Sequence, residues 1–227
     1  MTLSYIFRHL FWACHCLLLL NCSVTADAKK KPWDKAKYAA CTKLLPYDEL
    51  DRKITVTSAK CRQQSQIVDQ KQFGGNQLTA DPLIASIRLI GLSPEWMHSL
   101  IVRVNYERVK NLLADDNRGA ARFDEAVFIL DEVQISRGFD AKDDEFNGCE
   151  TYRAFGVTST SCRYEESLAL TFSADEITKL LTKLSADPAA KLKMRISGDT
   201  GESFDLEFDV AELAATLDAS AAVPTPP

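Results

Sequence analysis

The sequence predicts an α+β protein built mostly on antiparallel sheet, with a C-terminal β-α-β-β-α unit and stabilising disulfides. Three observations predict this fold class. Two runs near the C-terminus alternate apolar and charged residues with the period of a strand, a capped amphipathic helix precedes them, and four cysteines follow an apolar N-terminal segment. About 200 residues follow that segment, which is long enough to bury a core without relying on disulfides.

The first 28 residues have the pattern of a secretory signal peptide. Arg8 precedes the apolar run Leu10 to Leu20, and Ala26-Asp27-Ala28 supplies the small-x-small cleavage site. A helix of that apolar length rises only about 16 Å, roughly half of a ~30 Å hydrocarbon core, so cleavage is favoured over a retained membrane span. Lys29 to Lys31 oppose this interpretation, because positive charge favours the cytoplasmic side.

Because the short apolar run and the small-x-small site favour cleavage, we expect a periplasmic or secreted protein. Lipid attachment at Cys22 is the alternative, but Asn21 stands where a lipobox carries a small residue. No later stretch reaches the apolar length of a membrane span, so none is expected after cleavage. Residues 29–218 are predicted to form a single exported domain, with a sub-boundary near 140–166 as the alternative. Residues 219–227 are small, polar and proline-rich, and are predicted to be a disordered tail.

The composition argues against nucleic acid as a partner. The chain carries 27 Lys and Arg against 32 Asp and Glu, a net charge of −5. Apart from the lysines beside the cleavage site, it has no basic stripe. Because phosphate backbones are bound by concentrated positive charge, we expect protein partners instead.

The cysteines that remain after signal cleavage predict disulfides, because an exported protein folds in an oxidising compartment. They are Cys41, Cys61, Cys149 and Cys162. Three connectivities are open, and we favour Cys41 with Cys61 and Cys149 with Cys162 because neighbours in sequence close the shortest loops. No CxxC pair remains among them, which argues against zinc-ribbon or thioredoxin-type chemistry.

The N-terminal half shows several short elements. Trp33 to Leu45 suits a helix that Pro46 stops. Runs rich in β-branched residues predict strands at Ile54–Ala59, Leu83–Leu92, Leu100–Val109 and Ala126–Ile135. The third of these runs also fits a helical spacing. Turn residues predict loops at 115–119 and 140–148, and the segment from Cys149 to Cys162 is symmetric about Phe155-Gly156, as in a hairpin closed by a disulfide.

The C-terminal elements are the clearest. Leu168 to Phe172 alternates as a strand, and Ser173 with Glu176 forms a capping box for a helix that should end by Asp187-Pro188. Two strands then pair around Gly198 to Gly201 so that residue numbers sum to about 400. The predicted pairs are Ile196 with Phe204, Met194 with Leu206, Leu192 with Phe208, Arg195 with Asp205, Lys193 with Glu207 and Lys191 with Asp209. Asp209 and Glu212 then predict the start of a last helix.

Catalytic signatures are missing from the sequence. His98 is the only histidine after signal cleavage, so any His-dependent triad must use it, and no GxSxG, SxxK, HExxH, phosphate loop or GxGxxG pattern occurs. The cluster Asp140, Asp143, Asp144 and Glu145 is a candidate calcium site, with a solvated acidic loop as the alternative. That cluster, or Glu165 with Glu166, could instead supply carboxylates for a hydrolase.

These observations favour an exported non-catalytic protein that binds another envelope or secreted component through sheet edges or loops. One alternative is a small-ligand or calcium-binding protein of the periplasm, and another is a carboxylate-dependent hydrolase. No cofactor is expected unless the acidic cluster binds calcium. The sequence leaves the oligomeric state and the identity of the partner open.

Overall fold

A computed structural model describes residues 34–58, 66–67, 78–93, 95–111, 120–154 and 156–224, with the backbone alone at positions 66, 67, 109–111, 154 and 157. The segment predicted to be a signal peptide lies outside these residues, as do Cys22 and Cys61. No helix in the described part of the chain is long and apolar enough to cross a membrane.

The strands form two antiparallel sheets, which confirms a mostly antiparallel α+β fold. The strands are β1 Lys43–Leu44, β2 Lys53–Thr57, β3 Gln66–Ile67, β4 Leu78–Leu89, β5 Met97–Asn111, β6 Phe123–Leu130, β7 Val133–Gly138, β8 Ala141–Ala154, β9 Val157–Thr171, β10 Lys191–Gly198 and β11 Ser203–Asp209. The helices are α1 Lys35–Ala39, α2 Ala174–Ala186 and α3 Val210–Ala221. The large sheet runs β1-β2-β4-β5-β9-β8, with β3 also on β4, and the small sheet runs β11-β10-β6-β7.

One hydrophobic core joins both sheets with helices α2 and α3. The small sheet shows why these strands form, since β10 alternates exposed cations with buried apolar residues. The largest fully buried side chains are Phe123, Phe204, Leu78, Ile84, Leu100, Leu130, Leu168, Leu170, Leu180, Leu192, Ile196 and Leu206. Burial of each such side chain stabilises the fold by about 1.5–3 kcal/mol.

The register of the β10–β11 hairpin is confirmed. Arg195 lies opposite Asp205 and Met194 opposite Leu206, and the other four predicted pairs are also formed. The capping box is confirmed as well, because the Glu176 N–H donates to Ser173 Oγ and the Ser173 N–H donates to Glu176 Oε2. Helix α2 ends at Ala186, one residue before Asp187.

The C-terminal elements are divided between the sheets. From β9 onward the order is strand, helix, two strands and helix. However, β9 lies between β5 and β8 in the large sheet, whereas β10 and β11 belong to the small sheet. The two helices therefore do not cover one face of a single sheet formed by these three strands.

One strand prediction and one loop prediction in the middle of the chain were wrong. Ala126 to Ile135 is not one strand, because Asp131 and Glu132 turn the chain between β6 and β7 with φ of 49° and 65°. The predicted loop at 140–148 is mostly strand β8. This strand lies at a sheet edge with both faces exposed, so its sequence lacks the alternation that marks a half-buried strand. The ambiguous run Leu100–Val109 is strand, within β5.

Both ends of the described chain also differ from expectation. Helix α1 stops at Ala39 rather than Leu45, because Leu44 pairs with Val56 and the Leu45 N–H donates to the Thr55 carbonyl at 2.9 Å. Sheet pairing thus replaces the last helical turns. Helix α3 continues to Ala221, and the Arg88 guanidinium donates to the carbonyl of Pro224 at 3.1 Å. Helix α3 therefore extends three residues into the tail that was predicted to be disordered.

Candidate functional site

Strand β8 forms one edge of the large sheet. It pairs with β9 from Ala141 to Ala154, and no strand in the described residues pairs with its other side. Its described side chains are all exposed, except at Gly148, which is half-buried. An unpaired strand presents a row of N–H and C=O groups to which another strand can bond. We refer to residues 141–154 as the β8 edge.

A bulge divides the β8 edge into two straight segments. The register with β9 shifts between Phe146, which lies opposite Tyr164, and Cys149, which lies opposite Cys162. Gly148 has a φ of +95°, a conformation that favours glycine. A partner strand would therefore meet two short pairing segments, one before and one after the bulge.

The second segment directs backbone groups toward the unpaired side. Cys149 and Cys162 form the predicted disulfide, and their Cα atoms are 4.0 Å apart. This Cα distance is typical of a non-hydrogen-bonded pair, in which N–H and C=O point away from the neighbouring strand. Because these positions alternate along a strand, Thr151 and Arg153 share this orientation. The hairpin predicted around Phe155-Gly156 is also confirmed, since Ala154 lies opposite Val157.

The first segment ends a row of aromatic rings that crosses the sheet. Tyr106 on β5 stacks on Tyr164 on β9 with ring centroids 5.3 Å apart, and Phe146 on β8 lies 5.5 Å from Tyr164. Tyr106 is buried, whereas Phe146 is 59% exposed. The row thus begins in the core and ends with an uncovered ring at the β8 edge.

The buried carboxylate of Glu166 holds Tyr106, the first ring of this row, in place. Glu166, 3% exposed, accepts hydrogen bonds from the Tyr106 hydroxyl at 2.5 Å and from the backbone N–H groups of Arg122 and Phe123 at 3.1 and 2.9 Å. The Tyr106 oxygen in turn accepts from the Ala121 N–H at 2.7 Å. Burial, and secondarily the bond to Glu166, raises the pKa of Tyr106 well above its ordinary value, so the hydroxyl stays a donor. The network holds β5 and β9 to the start of β6.

A second buried pair joins the same sheet to the C-terminal hairpin. Arg108 on β5 lies 2.7 Å from the carboxylate of Glu202, in the turn between β10 and β11. Both side chains are largely buried. Strand β5 is therefore bonded to the residues just before β6 through Tyr106 and to the turn between β10 and β11 through Arg108.

The acidic run Asp143 to Glu145 on the β8 edge differs from Glu150 on the same strand, which lies 3.8 Å from Arg163. Asp144 lies opposite Glu166, and Glu145 lies opposite Glu165, so like charges face each other across the strand pair. Glu165 is paired instead with Arg103 at 2.9 Å. None of the ion pairs in the described residues involves Asp143, Asp144 or Glu145. Like charges placed directly opposite each other destabilise a sheet.

The structure does not bring the four candidate calcium ligands together. Asp140 accepts a hydrogen bond from the Thr171 N–H at 2.6 Å. Asp143 and Glu145 lie on one face of β8, while Asp144 lies on the other, because side chains alternate along a strand. In the described part of the chain, no group of three or more His, Cys, Asp or Glu side chains is placed to hold a metal ion.

The other candidate residues are dispersed. His98 is half-buried on β5, and its Nδ1 lies 2.7 Å from the Ser86 hydroxyl. Burial lowers the pKa of His98. Glu165 and Glu166 project from opposite faces of β9. Cys41 is disulfide-bonded, and Cys61, its expected partner, lies outside the described residues.

The sequence singled out the acidic residues and Cys149 of the β8 edge, but not its other residues. Phe146 and Tyr152 stand in a run of charged and turn residues that resembles a loop, and Thr151 carries no chemical signature. The one signal that could have found them is the symmetry of the cysteines about Phe155-Gly156. If the same pairing is continued before Cys149 with one bulge, it predicts a strand that begins near residue 141.

Similarity to known proteins does not assign a role to this edge. No protein-family model, curated protein or solved structure matches the chain. Its function has to be inferred from the geometry and chemistry of the edge itself.

Proposed function

We propose that this protein is an exported, non-catalytic binding protein that holds an extended segment of another envelope or secreted protein on the β8 edge. The single observation that carries this proposal is the exposure of β8, a strand of 14 residues with one side unpaired among the described residues. Strand addition to a sheet edge is a common mode of peptide recognition, in which backbone bonds give affinity and side chains give specificity.

The backbone supports such binding after the bulge. Cys149, Thr151 and Arg153 direct N–H and C=O groups outward, so an added strand can bond to each position. A hydrogen bond of this kind contributes about 0.5–1.5 kcal/mol net. Several such hydrogen bonds together contribute to the affinity for a partner strand, and side-chain contacts can increase that affinity.

Two exposed aromatic rings supply side-chain contacts. Phe146 is 59% exposed and Tyr152 is 49% exposed, and they lie on either side of the bulge. Tyrosine is among the residues that contribute most to protein interfaces. A partner segment that covers these rings buries apolar surface that the folded chain leaves in water.

The β8 edge is also held in place before binding. The Cys149–Cys162 disulfide joins β8 to β9, and β9 pairs with β5 from Thr171 to Ser159. An interface that is already ordered loses less conformational entropy on binding than a flexible one. A carboxylate-dependent hydrolase would instead require two carboxylates that converge in a cleft, and Glu165 and Glu166 project from opposite faces of β9.

Substitution of Thr151 tests strand addition directly. Thr151→Pro removes an outward N–H but leaves the bonds between β8 and β9, because the Thr151 N–H points away from β9. Thr151→Val is the matched control, since both variants lose the 3.1 Å hydroxyl contact with Thr160. Each tagged variant is used to capture proteins from the native envelope. We expect one specific protein to be captured by the wild type and Thr151→Val and lost with Thr151→Pro. Equal capture by all three contradicts the proposal.

Export is tested separately by N-terminal sequencing of the protein recovered from its native cells. The signal-peptide prediction expects Lys29 or Asp27 as the first residue. A protein that retains Met1 and stays inside the cell contradicts the assignment to the periplasm or the secreted fraction.

A further inference from the structure

We infer that the bound segment contains three consecutive basic residues next to one aromatic or large apolar residue, and that it lies along positions 143–146 of the β8 edge. This inference rests on the proposed function, because it names the chemistry of the partner at the same edge. It concerns the segment before the bulge, whereas the test with Thr151 concerns the segment after it.

The acidic residues set the charge of the partner. Asp143, Asp144 and Glu145 are consecutive and exposed, and no ion pair in the described residues includes them. Glu166 and Glu165 lie opposite Asp144 and Glu145, so the neighbouring strand offers repulsion rather than neutralisation. A strand added on the other side can place one cation beside each of these carboxylates, on both faces of the sheet.

The aromatic row sets the fourth residue of the segment. Phe146 ends the row that starts at buried Tyr106. Among the described residues, its ring lies next to another aromatic ring only on the β9 side. Aromatic pairs across neighbouring strands contribute about 0.2–1 kcal/mol. A residue opposite Phe146 in an added strand extends this row by one ring or apolar side chain.

The same charges argue against a second copy of this chain as the occupant. If two β8 edges paired antiparallel around Asp144, then Asp143 would face Glu145 and each Asp144 would face its equivalent. Every pair in this segment would be repulsive. In this register the charges therefore disfavour self-pairing, and they favour a cationic segment from another protein.

A groove on the outer face of the small sheet is the main competing surface, with a volume of about 510 Å³. It contains four cations, of which Lys191, Lys193 and Arg195 are already paired with carboxylates on β11, while the Lys183 ammonium donates to the Lys191 carbonyl. Lys193 lies 2.7 Å from Glu207, and Arg195 lies 2.8 Å from Asp205. Most charges of this groove thus act within the fold, whereas Asp143, Asp144 and Glu145 have no ion-pair partner among the described residues.

The test uses two fluorescent peptides, Thr-Val-Phe-Lys-Lys-Lys-Val-Thr and the order Thr-Val-Lys-Lys-Lys-Phe-Val-Thr, which fit antiparallel and parallel addition. Matched peptides carry Glu in place of Lys. Binding to the purified protein is followed by anisotropy. We expect at least one Lys peptide to bind about tenfold or more tightly than its Glu counterpart, and to weaken as salt rises from about 0.05 to 0.5 M because exposed charges are screened.

The variant D143N/D144N/E145Q removes the three charges without changing side-chain size. We expect it to weaken binding of the Lys peptide on the order of tenfold. The control D124N/D131N/E132Q makes the same change in net charge at other exposed positions and should bind as the wild type does.

Three outcomes overturn the inference: neither Lys peptide binds, Lys and Glu peptides bind equally, or the two triple variants behave alike. Failure here is distinguishable from failure of strand addition. A natural partner whose capture is lost with Thr151→Pro but is unchanged in D143N/D144N/E145Q shows that the edge binds a segment of different chemistry.

Discussion

The two long hairpins of this molecule use charge in opposite ways. In β10–β11, Arg195 faces Asp205 and Lys193 faces Glu207, and the apolar residues of both strands face the core. In β8–β9, Asp144 faces Glu166 and Glu145 faces Glu165. The first hairpin satisfies its charges within the fold, while the second leaves a run of carboxylates exposed on an unpaired edge.

The difference distinguishes charges that stabilise the fold from charges that are available to a partner. Cross-strand pairs of opposite sign stabilise a register and explain their own presence. Like-charge pairs lower the stability of the fold, and such departures from local stability are expected at functional sites. This contrast leads to four predictions.

The largest effect is expected at Glu166, which anchors β9 to the core. Glu166→Ala leaves the Tyr106 hydroxyl and the N–H groups of Arg122 and Phe123 without their acceptor. We expect the free energy of unfolding to fall by about 4 kcal/mol, because each buried unsatisfied donor costs about 1–3 kcal/mol. Urea denaturation measures it. Glu165→Ala, at the next position, should cost less than about 1 kcal/mol, and equal losses would contradict this account.

Removal of the Cys149–Cys162 disulfide should be the next largest effect. The double variant C149A/C162A is expected to lose about 3 kcal/mol, since the bridge restricts the unfolded chain. Thermal or urea unfolding measures this loss. Hydrogen exchange should also rise at residues 149–154 while β10–β11 is unchanged. Uniformly faster exchange in both hairpins would show that the bridge does not act on the β8 edge in particular.

Charge changes of smaller effect should have opposite signs in the two hairpins. Arg195→Asp places two acids opposite each other and should lower stability, and R195D/D205R should recover most of that loss. Asp144→Asn should instead raise stability by about 0.5 kcal/mol, because it removes a repulsive pair. Denaturation curves in low salt measure both. A loss of stability with Asp144→Asn would show that its carboxylate is satisfied within the fold.

The smallest effect is in the acid titration of β11. The hydrogen bond from Arg195 lowers the pKa of Asp205, and that from Lys193 lowers the pKa of Glu207. The stability from these pairs is therefore present above the ordinary carboxyl pKa and is lost as pH falls through the lowered one. NMR titration should find the pKa of Asp205 below its ordinary value and raised by Arg195→Gln. An unchanged pKa in that variant would contradict the assigned cause.

The contrast also explains how much of the structure the sequence could predict. β10–β11 is half-buried, so its alternation and complementary charges fix the register before any coordinates are known. β8 is exposed on both faces, so Asp143 to Gly148 resembles a loop. The turn at Asp131-Glu132 has Glu, rather than the usual Gly, at its second position, so the sequence does not mark its positive φ. Phe146, Thr151 and Tyr152 were missed for the same reason, since edge strands carry little local signal, whereas Asp143 to Glu145 stood out as an acidic cluster.

The outward side of β8 is expected to accept a partner strand. Amide hydrogen exchange of the full chain, with and without the captured partner, tests this pairing directly. We predict that the outward amides of Cys149, Thr151 and Arg153 exchange rapidly in the unbound protein and are protected on binding, while those of Glu150 and Tyr152 are protected in both states. Binding that protects another surface and leaves the outward amides unchanged would contradict the account.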